Sequence, residues 1–123
     1  MNVMNAQRLF TVKEVCDMYE ITRKTLFYYD RAGLVKPAYR AGSQQYKLYD
    51  QETIEQLEQV LLYRSAGLTV RETRKILSNE IKDEQEIMNF LNRIKERLLL
   101  EKEEKETEIV NLEKIISRFP AKG

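Results

Sequence analysis

The 123-residue chain contains no histidine, no tryptophan and a single cysteine, Cys16. One cysteine cannot close an internal disulfide. With one thiol and no imidazole, the usual sulfur- and nitrogen-based metal sites cannot be assembled from one chain. The side chain that carries protons near neutral pH is also missing, and no nucleophile–base pair stands out. An enzyme is therefore not expected, and no cofactor is expected. Only two prolines and four glycines occur, so helices should dominate. No uninterrupted apolar run is long enough to cross a membrane, and Met1 to Arg8 lacks the apolar stretch of a signal peptide. The expectation is a cytoplasmic protein with no membrane partner.

What the chain has in quantity is charge, 33% of its residues, above the ordinary share for a globular protein. That surplus suggests long exposed helical surface. The net charge of +1 says nothing about partners, but its distribution does. Between residues 22 and 49, Arg23, Lys24, Arg31, Lys36, Arg40 and Lys47 face one acid, Asp30, a local net of +5. Residues 80–123 hold nine basic and eleven acidic side chains, a net of −2. Basic charge concentrated in one short segment is the footprint of a DNA-contacting surface.

Helix signals follow in order. Thr11 and Glu14 fit a capping box, and Val12, Val15, Cys16 and Tyr19 then share one helical face, ending near Glu20. Thr22 is a good N-cap for a second helix that runs to about Ala32 and is terminated by Gly33. Only about two residues separate these helices, which forces a sharp helix-turn-helix corner. Pro37 excludes helix. Ala38 to Tyr49 reads as two short strands around a polar turn at Ala41 to Gln44, a β-hairpin wing. Asp50 opens a third helix carrying Ile54, Leu57, Val60, Leu61 and Leu62 and stopping near Gly67. Thr69 and Glu72 form a second capping box, followed by Thr73, Ile76 and Leu77 on the inward face. Asn79 to Asp83 is a polar junction.

The last segment, about Glu84 to Arg118, is a long helix of roughly 50 Å. Ile87, Leu91, Ile94 and Leu98 are spaced 4, 3 and 4, and Ile109, Leu112, Ile116 and Phe119 are spaced 3, 4 and 3, the spacings of a coiled-coil seam. A stutter falls between the two halves. Nothing else in the chain can cover so long a seam, and an isolated helix of this kind is poorly stable. The simplest cover is a second copy of the chain.

The run Arg23-Lys24-Thr25-Leu26-Phe27-Tyr28-Tyr29-Asp30-Arg31-Ala32-Gly33-Leu34-Val35-Lys36-Pro37 resembles the signature of the MerR family of bacterial transcription regulators. Tyr46 to Tyr49 looks like the family's wing ending, and Arg64 to Thr69 like its helix-three exit. The chain departs from the pattern at Lys24, Phe27 and Lys47, which stand for arginine, and at Gln45, which stands for the wing glycine. Lysine is a point charge where arginine forks, and Phe27 cannot donate a hydrogen bond but can touch a thymine methyl.

The resemblance implies a mainly α fold with a small β-hairpin: a winged helix-turn-helix head over residues 9–79 and a dimerisation helix over 84–119 that pairs as an antiparallel coiled coil. It implies that Arg23, Lys24, Thr25 and Phe27 lie at or near base edges, and that Tyr28, Arg40 and Lys47 touch phosphate or the neighbouring groove. Tyr29, three residues from Leu26, reads better as core, and Tyr49 is ambiguous. Cys16, on an apolar helix face, reads as a small hydrophobe. The homodimer seam is Ile87, Leu91, Ile94, Leu98, Ile109, Leu112 and Ile116. The implied partners are double-stranded promoter DNA, a second copy of the chain and, indirectly, RNA polymerase. The implied action is distortion of a promoter spacer, and no effector is assigned. A coiled-coil adaptor whose head binds protein, or an architectural factor with the same head, remains open.

Overall fold

The computed structural model describes residues 8–42 and 46–121. Each helix opens on a short side chain whose oxygen accepts a free backbone N–H. Thr11, Thr22, Asp50, Thr69 and Asp83 do this for α1 (Val12–Tyr19), α2 (Arg23–Arg31), α3 (Gln51–Ser65), α4 (Val70–Leu77) and α5 (Glu84–Ile116). Each such cap contributes about 1 kcal/mol. At α1 and α4 the box is reciprocal, with Glu14 and Glu72 accepting from the backbone N–H groups of Thr11 and Thr69.

The exits of α2 and α3 are built alike. Gly33 and Gly67 lie in the left-handed region, φ 76° and 92°, where a Cβ is disfavoured. Gly33 then donates to the Asp30 carbonyl and Leu34 to the Tyr29 carbonyl; Gly67 and Leu68 repeat this on Arg64 and Tyr63. This is the Schellman closure, and it turns Leu68 back into the protein interior.

Three antiparallel strands lie in the order β1-β3-β2. β2 (Tyr39–Ala41) and β3 (Tyr46–Tyr49) make the expected hairpin, with Tyr39 opposite Leu48, Arg40 opposite Lys47 and Ala41 opposite Tyr46. Of the expected turn, Ser43 and Gln44 lie outside the described residues. β1 (Phe10–Thr11) was not expected. Two residues cannot show an alternating pattern, and Thr11 announces itself as a helix cap. Yet Phe10 and Thr11 pair with Tyr49 and Leu48, so the same threonine closes a strand and opens a helix.

The chain divides into two compact units, residues 1–80 and 81–123. In the first, Val15, Leu26, Tyr29, Val35, Tyr49, Leu57 and Val60 are buried in one cluster, and Cys16 and Phe27 pack against it half-buried. Tyr29 and Tyr49 are thus both core. Burial pushes the Cys16 thiol above its ordinary pKa, the direction of an inert cysteine. Leu62 faces outward, because it lies two residues beyond Val60 and so on the far side of α3. The second unit is the helix α5. Ile94 is buried and Ile87 and Leu91 are half-buried, whereas Leu98, Ile109, Leu112 and Ile116 are exposed.

Candidate nucleic-acid interface

α1 and α2 meet across Glu20 to Thr22, a corner made possible by Glu20 taking left-handed dihedrals, φ 53° and ψ 45°. The corner leaves one side of α2 free. Lys24, Tyr28 and Arg31, spaced 4 and 3, share an exposed face. The Arg31 guanidinium stands 5.9 Å from the Tyr28 ring centre, and Tyr28 keeps 46% of its surface open. Arg23 and Phe27 occupy the flank of α2, with the Arg23 guanidinium 5.9 Å from the Phe27 ring centre. Thr25 is half-buried, and its hydroxyl accepts from that of Thr22 at 3.0 Å.

The first turn of α2 contains no acid and two cations, Arg23 and Lys24. A helix N-terminus carries partial positive charge, and a cation there is unfavourable by roughly 0.3–1 kcal/mol. An anion brought to this end of the helix would offset that cost.

The wing reaches α2 through charge. Strand alternation places Lys47 on the same side of β3 as the buried Tyr49, so its side chain runs inward. Its ammonium is 3.1 Å from Oδ2 of Asp30 and 3.9 Å from the Phe27 ring centre. Arg40, directly across the hairpin, donates from Nη2 to Oδ1 of Asp30 at 2.6 Å. Side-chain exposure falls from 41% at Arg40 to 15% at Lys47 and 8% at Asp30. Burial pushes the Asp30 carboxyl up, but the hydrogen bonds and charges of Arg40 and Lys47 outweigh it, and the net shift is downward. Asp30 is therefore ionised at neutral pH. Tyr49 has a buried hydroxyl with no hydrogen-bond partner among the described residues; its pKa is pushed up to about 12, by burial first and the Asp30 charge second.

Of the residues expected to meet DNA, Arg23, Lys24, Tyr28 and Arg40 are exposed, Phe27 and Thr25 are half-buried, and Lys47 is largely enclosed by Asp30 and Phe27. Two further residues join them. Arg31 reads in the sequence as charge alone, although its spacing from Lys24 and Tyr28 puts it on their face. Asp30 reads there only as the lone acid of a basic segment. The signal that would have exposed its role is the two-residue step from Lys47 to Tyr49, which turns a wing lysine toward α2.

Residues 10–80, more than half the chain, match the MerR HTH family of regulatory proteins. The transcriptional regulator BrlR of Pseudomonas aeruginosa is 30% identical over 86 residues, which cover 69% of this chain and 32% of the relative. The mercuric resistance operon regulatory protein of Bacillus cereus is 29% identical over 75 residues, 61% of this chain and 56% of the relative. The chain thus spans between a third and a little over half of the length of these curated relatives. Among solved structures, a MerR-family transcriptional regulator from Bacillus cereus superposes with a TM-score of 0.81 over 91% of this chain and 83% of its own, at 20% identity. The N-terminal part of the Bacillus subtilis multidrug transporter activator MtaN gives 0.67 over 87% and 97%, at 24% identity. HiNmlR, a MerR-family regulator lacking the sensor domain and bound to promoter DNA, gives 0.62 over 89% of each chain, at 14% identity. At these identities the solved structures speak for the fold. The matched segment begins at the first strand and ends just past α4, enclosing the corner, the basic face of α2 and the wing, and on that match the chain belongs to the MerR HTH family of regulatory proteins.

Proposed function

We propose that two copies of this chain bind duplex promoter DNA and regulate transcription from it. The observation that carries the reading is the exposed face of α2, where Lys24, Tyr28 and Arg31 stand together, with Arg23 and Lys24 at the N-terminal end that favours anions. In the major groove, Arg23 and Lys24 reach base edges, with Thr25 behind them and Phe27 offered to a thymine methyl. Tyr28 and Arg31 meet phosphate, which fixes register without reading sequence, and Arg40, held by Asp30 but still 41% exposed, meets it only in part. Lys47 acts from behind, by holding Phe27 and Asp30 in place.

The dimer is formed by α5 along Ile87, Leu91, Leu98, Ile109, Leu112 and Ile116; Ile94, expected in the seam, is already buried within the single chain and has little surface left to give a partner. The stretch from Leu98 to Ile116 is exposed along most of its length in the single chain, which supports pairing with a second copy. The helices run antiparallel by analogy with the family, and the paired heads suit a pseudo-palindromic site. The relative HiNmlR is described bound to promoter DNA. By the same analogy, the dimer bends and untwists the promoter spacer for RNA polymerase, a deformation of order 1–6 kcal/mol. The protein acts where the DNA is and not as an enzyme; among the described residues no helix is long and apolar enough to cross a membrane.

The test is binding of the purified protein to the DNA upstream of its own coding region, over a series of salt concentrations. Each phosphate contact adds roughly 0.9 to the log–log slope. A steep slope with a clear preference over random duplex supports the reading. No binding in dilute buffer overturns it and leaves the coiled-coil adaptor.

A further inference from the structure

Asp30 is the only acid between residues 22 and 49, and it is buried against two cations of that segment, Arg40 and Lys47. A carboxylate there opposes the attraction of a polyphosphate, so its presence requires a reason. Its two oxygens are divided between the two strands of the wing: Oδ1 takes Arg40 of β2 at 2.6 Å, and Oδ2 takes Lys47 of β3 at 3.1 Å. Arg40 and Lys47 are direct partners in the hairpin register. Like charges in that relation push strands apart, and one carboxylate between them removes the repulsion. Because Asp30 belongs to α2, the same contact fastens the wing to the helix that carries Arg23 and Lys24. Lys47 also lies over the face of Phe27, so the latch sets the position of a side chain on the reading flank.

We infer that Asp30 is a positioning and specificity-determining residue of the DNA interface: it withdraws Arg40 and Lys47 from free use against phosphate and locks the wing to α2, so that binding to arbitrary duplex is weakened more than binding to the proper site. The inference rests on the DNA-binding reading above. Non-specific binding is supplied almost wholly by cation–phosphate attraction, whereas specific binding adds base contacts made from α2. Partly neutralising two cations therefore subtracts most from the non-specific term. Holding the wing in one geometry keeps the remaining phosphate contacts tied to the register in which α2 meets its bases.

The experiment compares the full chain with Asp30→Asn and Asp30→Glu on specific and random duplexes over a salt series. Thermal unfolding monitors the fold of each. Asp30→Asn keeps the shape and removes the charge. It should bind random DNA more tightly, steepen the log–log salt slope by about 0.9 to 1.8 as one or two cations are freed, and narrow the ratio of specific to random affinity. Asp30→Glu, which restores the carboxylate, should return the slope to the wild-type value. If Asp30→Asn is too unstable to measure, combining it with Lys47→Gln leaves no unpaired buried ammonium, and the slope should then rise by about 0.9 through Arg40 alone. A variant whose two affinities fall together at an unchanged slope would show a structural strut only and would overturn the inference. Failure of the wild type itself to bind any duplex would overturn the DNA-binding reading as well.

Discussion

Pairing through α5 can be tested with one leucine and a control on the same helix. Leu112 is 56% exposed, between Ile109 at 56% and Ile116 at 60%. Complete burial of a leucine side chain contributes about 1.5–3 kcal/mol, so the exposed half of Leu112 leaves about 1 kcal/mol to be gained per copy on pairing. Leu112→Ala should then cost the dimer about 2 kcal/mol over its two copies, a weakening of Kd by roughly 30-fold. Alanine is at least as good a helix former as leucine, so α5 itself should survive. Leu112→Glu is harsher. It places a carboxylate in each copy of the seam, where its desolvation is unfavourable, and should leave monomer at micromolar concentration with poor DNA binding. The control is Leu100→Ala. Leu100 is just as open, at 61%, but lies two residues past Leu98 and so roughly 200° around the helix. Sedimentation equilibrium from nanomolar to high micromolar concentration gives each Kd. Equal shifts for the Leu112 and Leu100 alanine variants, or an unchanged mass for Leu112→Glu, would refute a seam on the Leu98–Leu112 face.

Three further outcomes are expected. Arg23→Ala should relax sequence preference by about 1–3 kcal/mol if its guanidinium reads a base; competition binding that shows equal losses on specific and random duplex would remove it from that role. Thr73 is fully buried in α4 and its hydroxyl has no partner among the described residues, so Thr73→Val, of the same shape, should stabilise the protein by about 1 kcal/mol, the lower end of the penalty for an unpaired buried hydroxyl, read as a higher Tm. Acid should act through Asp50 and Asp30. The carboxyl of Asp50 is held below its ordinary range by the backbone N–H of Thr53 and then by its hydroxyl, and that of Asp30 by the wing cations acting against burial. Because both pKa values are depressed on folding, the stability they supply is present above the unfolded value of 3.8 and is lost as pH falls through the folded values. The Tm followed by circular dichroism should therefore drop mainly below about pH 4, and Asp50→Ala, at a cost of about 1 kcal/mol at neutral pH, should make the drop shallower.

Much of this protein was legible in its residues because the signals are local. A threonine or aspartate at a helix start accepts a free backbone N–H two or three residues on, a contact made within one turn of chain. A glycine at φ 76° ends α2 because no other residue sits there as cheaply. The long helix α5 and the paired tyrosines of α2 are likewise matters of spacing along one element. The tertiary structure decided what depends on which elements meet. Phe10 and Thr11 become a strand only because Tyr49 and Leu48 lie alongside. Leu62, apolar and in a core helix, ends up exposed because the side of α3 turned to the core is the one that carries Ile54, Leu57 and Val60. Lys47 and Arg40 read as two free wing cations, and Asp30 as a stray acid, until the hairpin folds back on α2 and brings the three within hydrogen-bonding reach. Charge is counted along a chain, but whether a cation is available to a partner depends on the distance to its nearest anion, and that distance is set by contacts remote in sequence.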